Sequence, residues 1–213
     1  MILRAYAAGI FPMAETRDDD EIHWIDPRWR GVMPLDDGFH VPKSLRKAIR
    51  KQPYRLTCDT AFEAVIAGCA EIGDHADRWE TWINDVIEDA FVDLHHRGYA
   101  HSVEAWDADG HLVGGLYGLA LGGAFFGESM FSRATNASKI ALCHLVAVLR
   151  RNGFVLLDTQ FVNDHLVQFG IEEIPKAEYH RRLAVALEID AEFYCKGVDS
   201  TAVFSTHSST QTS

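Results

Sequence analysis

The feature that most constrains the fold of this chain is a run of three strand patterns separated by two short turns. The strand patterns cover residues 100–106, 112–121 and 124–131. An Asp-Ala-Asp-Gly sequence follows the first and a Gly-Gly pair follows the second, and such residues favour tight turns between neighbouring strands. Three antiparallel strands in a meander are therefore predicted.

Helical patterns, in which apolar residues recur every three or four positions, stand on both sides of the meander. They cover residues 41–51, 60–73, 83–98, 138–151 and 175–188. A capping box, Thr60-x-x-Glu63, is predicted to begin the second of them. A buried strand at 154–160 and a short helix at 163–169 complete an α+β fold, whose order of elements matches the core of the acetyltransferase (GNAT) superfamily.

The layout divides the chain into three parts. Residues 1–35, rich in Pro, Trp and acids, are expected to form a small N-terminal lobe. Residues 36–195 are expected to form the GNAT-like domain, and residues 196–213, which are rich in Ser and Thr, a disordered tail. No run approaches the roughly 20 apolar residues of a membrane helix. Because the first residues also lack the layout of a signal peptide, we expect a cytoplasmic protein.

The four cysteines stand far apart in the sequence. They are Cys58, Cys69, Cys143 and Cys195. No CxxC motif and no nearby HxxxH motif accompanies them, so the spacing indicates neither a zinc site nor a disulfide framework. Reduced and mostly buried thiols are therefore expected, with no metal.

Charge is distributed unevenly along the chain. The formal net charge of −11 argues against a general nucleic-acid-binding protein. The segment from Phe39 to Cys58 nevertheless contains no acid and six basic residues. These are Lys43, Arg46, Lys47, Arg50, Lys51 and Arg55. They lie along an amphipathic helical pattern, which is either an ordinary solvated face or a surface that contacts phosphate groups.

Three segments are more specific than an ordinary α+β chain requires. They are YAAGIFP at 6–12, FGESMFS at 126–132 with NASK at 136–139, and LDTQ at 157–160 with NDH at 163–165. Together they resemble the leucyl/phenylalanyl-tRNA protein transferase family. The resemblance runs from Ala5 to about Phe193, which is nearly the whole chain.

The resemblance implies a GNAT-like fold that holds the aminoacylated 3′ end of tRNA in place of coenzyme A. Leu or Phe, with Met as a further candidate donor, would be moved to the α-amine of proteins that begin with Arg or Lys, which marks them for the N-degron degradation pathway. Residues 132–138 contain no glycine, whereas a coenzyme A enzyme needs a Gly-rich turn there for the pyrophosphate. Because the donor ester is already activated, no cofactor is expected. The protein is also expected to be a monomer.

By resemblance, Asp158 and Gln160 are the catalytic pair. If residues 154–160 form a strand, its period of two places both side chains on one face, where Gln160 can position the amine and Asp158 can orient the amide. The alternative is that the two residues only end the strand. Glu128 is expected to bind the cationic N-terminus of the acceptor, and the alternative for it is a buried carboxylate satisfied by a neighbouring group.

The resemblance also assigns the donor side. Leu116, Phe125, Met130 and Leu142 would form the apolar pocket for Leu or Phe, although each is equally an ordinary core residue. Tyr6 and Trp82 would lie near the terminal adenosine, or would instead pack between the two lobes. The basic residues from Lys43 to Lys51 would contact the phosphates of the acceptor stem.

Two other functions stay open from the sequence. One is a GNAT acetyltransferase that uses acetyl coenzyme A, which the glycine-free segment at 132–138 disfavours. The other is a non-enzymatic adaptor that recognises basic N-termini, which would need an acidic pocket but neither the basic helix nor the pair of Asp158 and Gln160.

Overall fold

A computed structural model describes residues 1–19, 21–71 and 81–204 of the chain. Its helices are α1 Ile2–Ala7, α2 Lys43–Arg50, α3 Phe62–Ala70, α4 Asp85–His96, α5 Ala137–Arg151, α6 Asp164–Val167 and α7 Lys176–Leu187, with a 3₁₀ helix at Ser200–Phe204. Its strands are β1 Phe11–Met13, β2 His23–Ile25, β3 Trp29–Met33, β4 Arg55–Cys58, β5 Ala100–Trp106, β6 Leu112–Leu121, β7 Ala124–Ser132, β8 Leu156–Asp158 and β9 Glu172–Pro175. The helix end predicted near Gly73 and the last part of the predicted tail, residues 205–213, lie outside the described residues.

One mixed sheet carries the fold. Its seven strands run in the spatial order β4-β5-β6-β7-β8-β3-β9, and β1 pairs with β2 in a separate sheet. The antiparallel meander of β5, β6 and β7 is confirmed. Strand β8 lies parallel to β7, and β3 is antiparallel to both β8 and β9. This mixture of helices and strands agrees with the predicted α+β class.

Hydrophobic clusters cover the two faces of the sheet. Leu116 and Tyr117, consecutive residues of β6, belong to different clusters, because successive side chains of a strand point to opposite faces. One cluster contains the buried residues of α3, α4 and α7 together with Tyr6. The other contains most of α5 and the apolar side of α2, Leu45 and Ile49. The long helix α5 is thus the main support of one face, and α3, α4 and α7 support the other.

Within the main sheet, strands β3 and β9 are elements that sequence patterns miss. Four of the five residues of β3 are buried, so apolar and polar positions do not alternate there. Strand β9 contains two acids and a proline, which are rare in strands. Because β3 precedes residue 35, part of the expected N-terminal lobe is hydrogen-bonded into the main sheet.

The expected capping box is wrong. Helix α3 begins at Phe62 and has no side-chain hydrogen bond at its N-terminal cap. The Thr60 hydroxyl instead donates to the buried carboxylate of Glu104 at 2.9 Å. A buried charge needs several donors, and this demand outweighs a local cap.

The disordered tail is wrong for residues 200–204. Val203 is buried in the cluster around α5, and its carbonyl oxygen accepts a hydrogen bond from Arg150 Nη1 at 3.2 Å. The two apolar residues Val203 and Phe204 supply the contacts that a Ser/Thr-rich composition hides.

The cysteine prediction is wrong for one pair. Cys58 of β4 and Cys195 form a disulfide across a separation of 137 residues. Spacing could not indicate it, because the partners come from opposite ends of the domain. Cys69 and Cys143 are buried thiols, as predicted. Among the described residues, no helix is both long and apolar enough to cross a bilayer.

Candidate active site

A buried ion pair at the end of β8 organises the candidate active site. Asp158 is the last residue of β8 and is completely buried. Arg30 of β3 donates to both of its oxygens, with Nε 2.9 Å from Oδ1 and Nη2 2.6 Å from Oδ2. The hydroxyl of Tyr179 in α7 also donates to Oδ2, at 2.8 Å. Each Asp158 oxygen is therefore held by donors from other elements.

Aromatic rings and a backbone carbonyl surround the Arg30 guanidinium. Its guanidinium lies 4.6 Å from the centre of the Phe11 ring and 4.4 Å from that of Tyr179, and its Nη1 donates to the Gly9 carbonyl oxygen at 3.0 Å. Burial acts to lower the pKa of Arg30, but the hydrogen bond and charge of Asp158 outweigh it and raise the pKa. For Tyr179, burial and then the Asp158 charge raise the pKa. The pair thus joins α7, β3, β8 and the N-terminal segment.

Gln160 does not lie in the strand with Asp158, so the prediction that the two share a strand face is wrong. Strand β8 ends at Asp158, and Gln160 has a left-handed φ of 57°. The Gln160 N–H donates to Asp158 Oδ1 at 2.9 Å, which is the bond of an Asx turn. The carboxylate therefore positions Gln160 through its backbone.

Strand β3 fixes the other side of this turn. The Gly31 N–H donates to the Gln160 carbonyl oxygen at 2.9 Å, and the Thr159 N–H donates to the Gly31 carbonyl oxygen at 3.0 Å. A Cβ on Gly31 would lie only 2.8 Å from the Phe161 carbonyl carbon. Gly31 is therefore needed for the turn to lie this close to the sheet.

Glu128 lies at a β-bulge in β7. Gly118 of β6 pairs with Gly127 and Tyr117 pairs with Ser129, so Glu128 is the extra residue between them. The Gln160 side chain donates from Nε2 to Glu128 Oε1 at 3.3 Å. Glu128, Gln160 and Asp158, which were predicted as one catalytic group, are thus brought together through Gln160.

The electrostatic setting of Glu128 is unusual. The residue as a whole is partly exposed, but its carboxyl group lies deep among protein atoms, and this desolvation raises its pKa to about 8. The charge of Asp158 also raises the pKa, whereas Tyr6 and Arg30 act to lower it. At neutral pH Glu128 is therefore mostly protonated and is ready to change its charge slightly above that pH.

The Tyr6 side chain lies near Glu128 and is closed to nucleotides in this structure. Tyr6 is completely buried, and its ring makes edge contacts with Phe91 and Phe126. Burial and then the neighbouring Glu128 charge raise the pKa of its hydroxyl. Stacking on a terminal adenosine would need an open ring face, which this packing does not leave. Trp82 is partly exposed and packs on the same cluster as Tyr6.

The four residues predicted for the donor pocket come together on the face that α5 covers. Leu116, Phe125 and Leu142 are almost completely buried in one hydrophobic cluster. Met130 pairs with Leu116 across β6 and β7 and is partly exposed. Met130 is thus the most accessible of the four residues.

The predicted basic helix is confirmed as α2. Leu45 and Ile49 are buried against α5, while Lys43, Lys47 and Arg50 are exposed on the other side. Lys51 follows the helix and is exposed. Arg46 is half-buried and donates to the Val41 carbonyl oxygen at 2.9 Å. Four of the five basic residues between Lys43 and Lys51 therefore face solvent.

Sequence patterns miss Arg30 and Tyr179, the two partners of Asp158. Arg30 is separated from Asp158 by 128 positions and Tyr179 by 21. A charged residue inside a mostly buried strand needs a counter-charge, but the strand that contains Arg30 was itself missed from the sequence. No spacing rule links it to its partner.

This geometry defines a class of enzyme. A carboxyl group whose pKa lies near that of an α-amine stands next to a primary amide that a buried ion pair holds in place. Such a pair is suited to bind an amine and accept its proton while the amine attacks an acyl group. An α+β enzyme with such a site is suited to acyl transfer to an amine.

Comparisons with known proteins give the family. The profile named leucyl/phenylalanyl-tRNA protein transferase matches residues 32–184, and the profile of the N-terminal domain of the same enzymes matches residues 1–28. The chain therefore belongs to the leucyl/phenylalanyl-tRNA protein transferase family and is an aminoacyltransferase.

Curated relatives with that name agree. The protein of Paramagnetospirillum magneticum is 60% identical over 193 residues, which cover 91% of this chain and 90% of the relative. The protein of Rhodospirillum rubrum is 54% identical, with 98% of this chain and 96% of the relative covered. That of Phenylobacterium zucineum is 54% identical, with 92% and 87% covered.

Proposed function

We propose that the protein transfers Leu or Phe from aminoacyl-tRNA to the α-amine of proteins that begin with Arg or Lys. The observation that carries the proposal is the contact of Gln160 with a Glu128 carboxyl whose pKa is about 8. The reference pKa of an α-amine is about 7.7 to 8.0, so a proton can pass between the two groups at little free-energy cost. Relatives that carry the leucyl/phenylalanyl-tRNA protein transferase name support the donor.

The reaction is aminolysis of an ester. The neutral α-amine attacks the aminoacyl carbonyl carbon, a C–N bond forms, and the C–O bond to the terminal ribose breaks. The amine loses one proton and the ribose oxygen gains one. The ionised form of Glu128, a minority at neutral pH that grows as pH approaches about 8, accepts the first proton. The Gln160 amide positions the amine with its carbonyl oxygen. Because the acceptor also carries a basic side chain, this ionised form favours its approach.

Asp158 acts as a positioning residue in this scheme. Its oxygens already accept hydrogen bonds from Arg30, Tyr179 and the Gln160 N–H, and it is completely buried. A carboxylate held in this way has little capacity left to bind substrate. Its contribution is to hold the Gln160 turn against β3, which keeps the amide beside Glu128.

Donor and acceptor would approach from different sides. The donor pocket, formed by Leu116, Phe125, Met130 and Leu142, shares its hydrophobic cluster with the apolar side of α2. A tRNA whose acceptor stem follows the exposed cations of α2 would therefore reach the pocket from the α5 face. Glu128 contacts Gln160, whose turn is fixed by Asp158 and β3, so the acceptor N-terminus would enter at the bulge of β7.

Several finer expectations belong to this proposal. The parallel pairing of β7 and β8 after an antiparallel meander supports a GNAT-like core. The glycine-free segment at 132–138 supports the absence of coenzyme A. We also propose that the enzyme acts as a monomer in the cytoplasm, where aminoacyl-tRNA is made, that Met serves as a further donor, and that its products enter the N-degron pathway.

The test is transfer of labelled Phe from Phe-tRNA to a peptide that begins with Arg, with an otherwise identical peptide that begins with Glu as the control. Transfer to the Arg peptide alone is expected. Equal transfer to both peptides would contradict the acceptor assignment, and tRNA binding without transfer would favour an adaptor. A coenzyme A titration should show no binding, since saturable binding would favour the acetyltransferase alternative.

A further inference from the structure

Three metal-binding side chains meet away from the candidate active site. They are Cys58 of β4, His144 of α5 and Cys195 of the C-terminal segment, and their ligand atoms all lie within 4.8 Å of one another. No fourth His, Cys, Asp or Glu of the described residues joins the group. A tetrahedral zinc ion bound at about 2.3 Å to sulfur and about 2.0 Å to nitrogen would hold these ligand atoms roughly 3.5 to 4 Å apart, which falls within this spacing.

His144 has an unmet demand for a partner. The residue is 4% exposed, and its Nδ1 is buried with no hydrogen-bond partner among the described residues. Leaving such a group without a partner destabilises the fold, and a bound cation would remove this penalty. A neutral imidazole ring with an unpaired nitrogen has a lone pair to offer a metal ion.

The group is reachable from solvent. A cavity of about 440 Å³ is lined by all three side chains. A hydrated ion can therefore enter, and a water molecule can occupy the fourth position, as in zinc sites with three protein ligands.

We propose that Cys58, Cys195 and His144 form a site for one thiophilic divalent cation, with zinc as the expected ion, once the disulfide is reduced. Two equivalents of a thiol reductant give two electrons and two protons to the disulfide and leave as their own disulfide. The ion then displaces one proton from each Cys thiol and binds the two thiolates and the neutral imidazole.

The expected compartment favours the reduced form. Cytosolic thiols are kept reduced, so a disulfide is rare there and two adjacent thiols are available to metals. Reduction of the disulfide in the cell rests on the cytoplasmic location proposed above. The geometry of the three ligands is independent of that proposal. The three ligands stand at positions 58, 144 and 195. Because they are so far apart in the sequence, no sequence motif indicates the site.

The site attaches the segment that follows α7 to the rest of the protein. Nine residues after Cys195, Phe204 packs near Arg46 and Arg50 of α2, whose guanidinium carbons lie 5.6 and 5.7 Å from its ring centre. Either the disulfide or the bound ion ties the start of this segment to β4. A metal would thus replace the disulfide as the clamp under reducing conditions.

Cobalt binding to the whole protein tests the proposal. After reduction, removal of the reductant and a thiol count, Co²⁺ is added under anaerobic conditions, and the near-ultraviolet band from thiolate to cobalt and the visible bands of tetrahedral cobalt are followed. One Co²⁺ per chain is expected, with displacement by Zn²⁺. The oxidised protein, which keeps the disulfide, should show no such band.

Variants identify the ligands. Cys58→Ser and Cys195→Ser should each lose most of the thiolate band, while Cys143→Ala, which removes a buried thiol outside the group, should keep it. His144→Gln should weaken binding by at least the roughly 10- to 100-fold that outer-shell partners contribute. Circular dichroism of each variant checks the fold.

Measurements on the wild type can overturn the proposal by themselves. The absence of a thiolate band in the reduced protein would contradict it, and so would an equal band in the oxidised protein. A band that persists in the Cys195→Ser variant would also contradict it. Unchanged Co²⁺ affinity in a folded His144→Gln variant would show that His144 does not bind the ion and would contradict the proposed site of three ligands. Because no tRNA or peptide is present, these outcomes are independent of the transfer assay.

Discussion

Replacement of Glu128 by Gln should remove a pH dependence of the free energy of unfolding. The magnitude of this dependence follows from the raised pKa of Glu128. Burial raises the pKa of Glu128 from its ordinary 4.5 to about 8, so the folded protein keeps this proton where the unfolded chain loses it. The folded state binds one more proton between these values, and its stability falls as pH rises, by about 1.4 kcal/mol per pH unit. Between pH 5 and 8 the loss due to this group is about 3.5 kcal/mol, because the slope is smaller near either pKa.

Glu128→Gln keeps the shape and the contact with Gln160 but has no charge to gain. Urea unfolding of both proteins at pH 5, 6.5 and 8 gives the difference in their free energies of unfolding at each pH. The wild type is expected to lose stability relative to the variant as pH rises, by several kcal/mol in total. A difference that stays constant with pH would refute the perturbed carboxyl and, with it, the matched proton exchange with the acceptor amine.

Three further predictions concern the scaffold and the tRNA surface. Arg30→Met should lower the free energy of unfolding by about 3 to 5 kcal/mol because it leaves a buried carboxylate without its cation, and the exposed Arg181→Met should change it much less in the same urea titration. Gly31→Ala should push the turn at residues 159–161 away from β3 and lower the transfer rate about 10-fold or more, with a stability loss of about 1 to 3 kcal/mol in thermal unfolding. Replacing Lys47 and Arg50 by Ala should reduce the salt slope of tRNA binding by about 0.7 to 0.9 for each phosphate that these cations neutralise, and an unchanged slope would exclude α2 from the tRNA surface.

Periodicity predicted the parts of the fold that local sequence controls. The meander and helices α2, α4, α5 and α7 are long and regular enough for their apolar spacing to stand out. Strands β3 and β9 are short, and what decides their structure is pairing with each other and, for β3, with β8. Tertiary pairing of this kind leaves no period in the sequence.

Three residues of the candidate site were predicted, but the way in which they are arranged was not. Resemblance selected Glu128, Asp158 and Gln160, and all three lie together. The assumption of a continuous strand was wrong because the Asx turn after Asp158 forces Gln160 into a left-handed conformation. Arg30 was missed because its role depends on a partner 128 positions away.

The most direct test of the account is the single-turnover transfer of Phe from Phe-tRNA to an Arg peptide by the wild type and by Gln160→Ala, with Gln168→Ala as the matched control. Gln168 is the C-terminal cap of α6, and its side chain donates to the nearby His165 carbonyl oxygen at 2.8 Å. Gln160→Ala is expected to slow transfer about 100-fold or more while the dissociation constant for tRNA stays nearly unchanged, and Gln168→Ala is expected to transfer normally. A normal single-turnover rate in Gln160→Ala, or a loss of tRNA affinity that accounts for the whole defect, would contradict it.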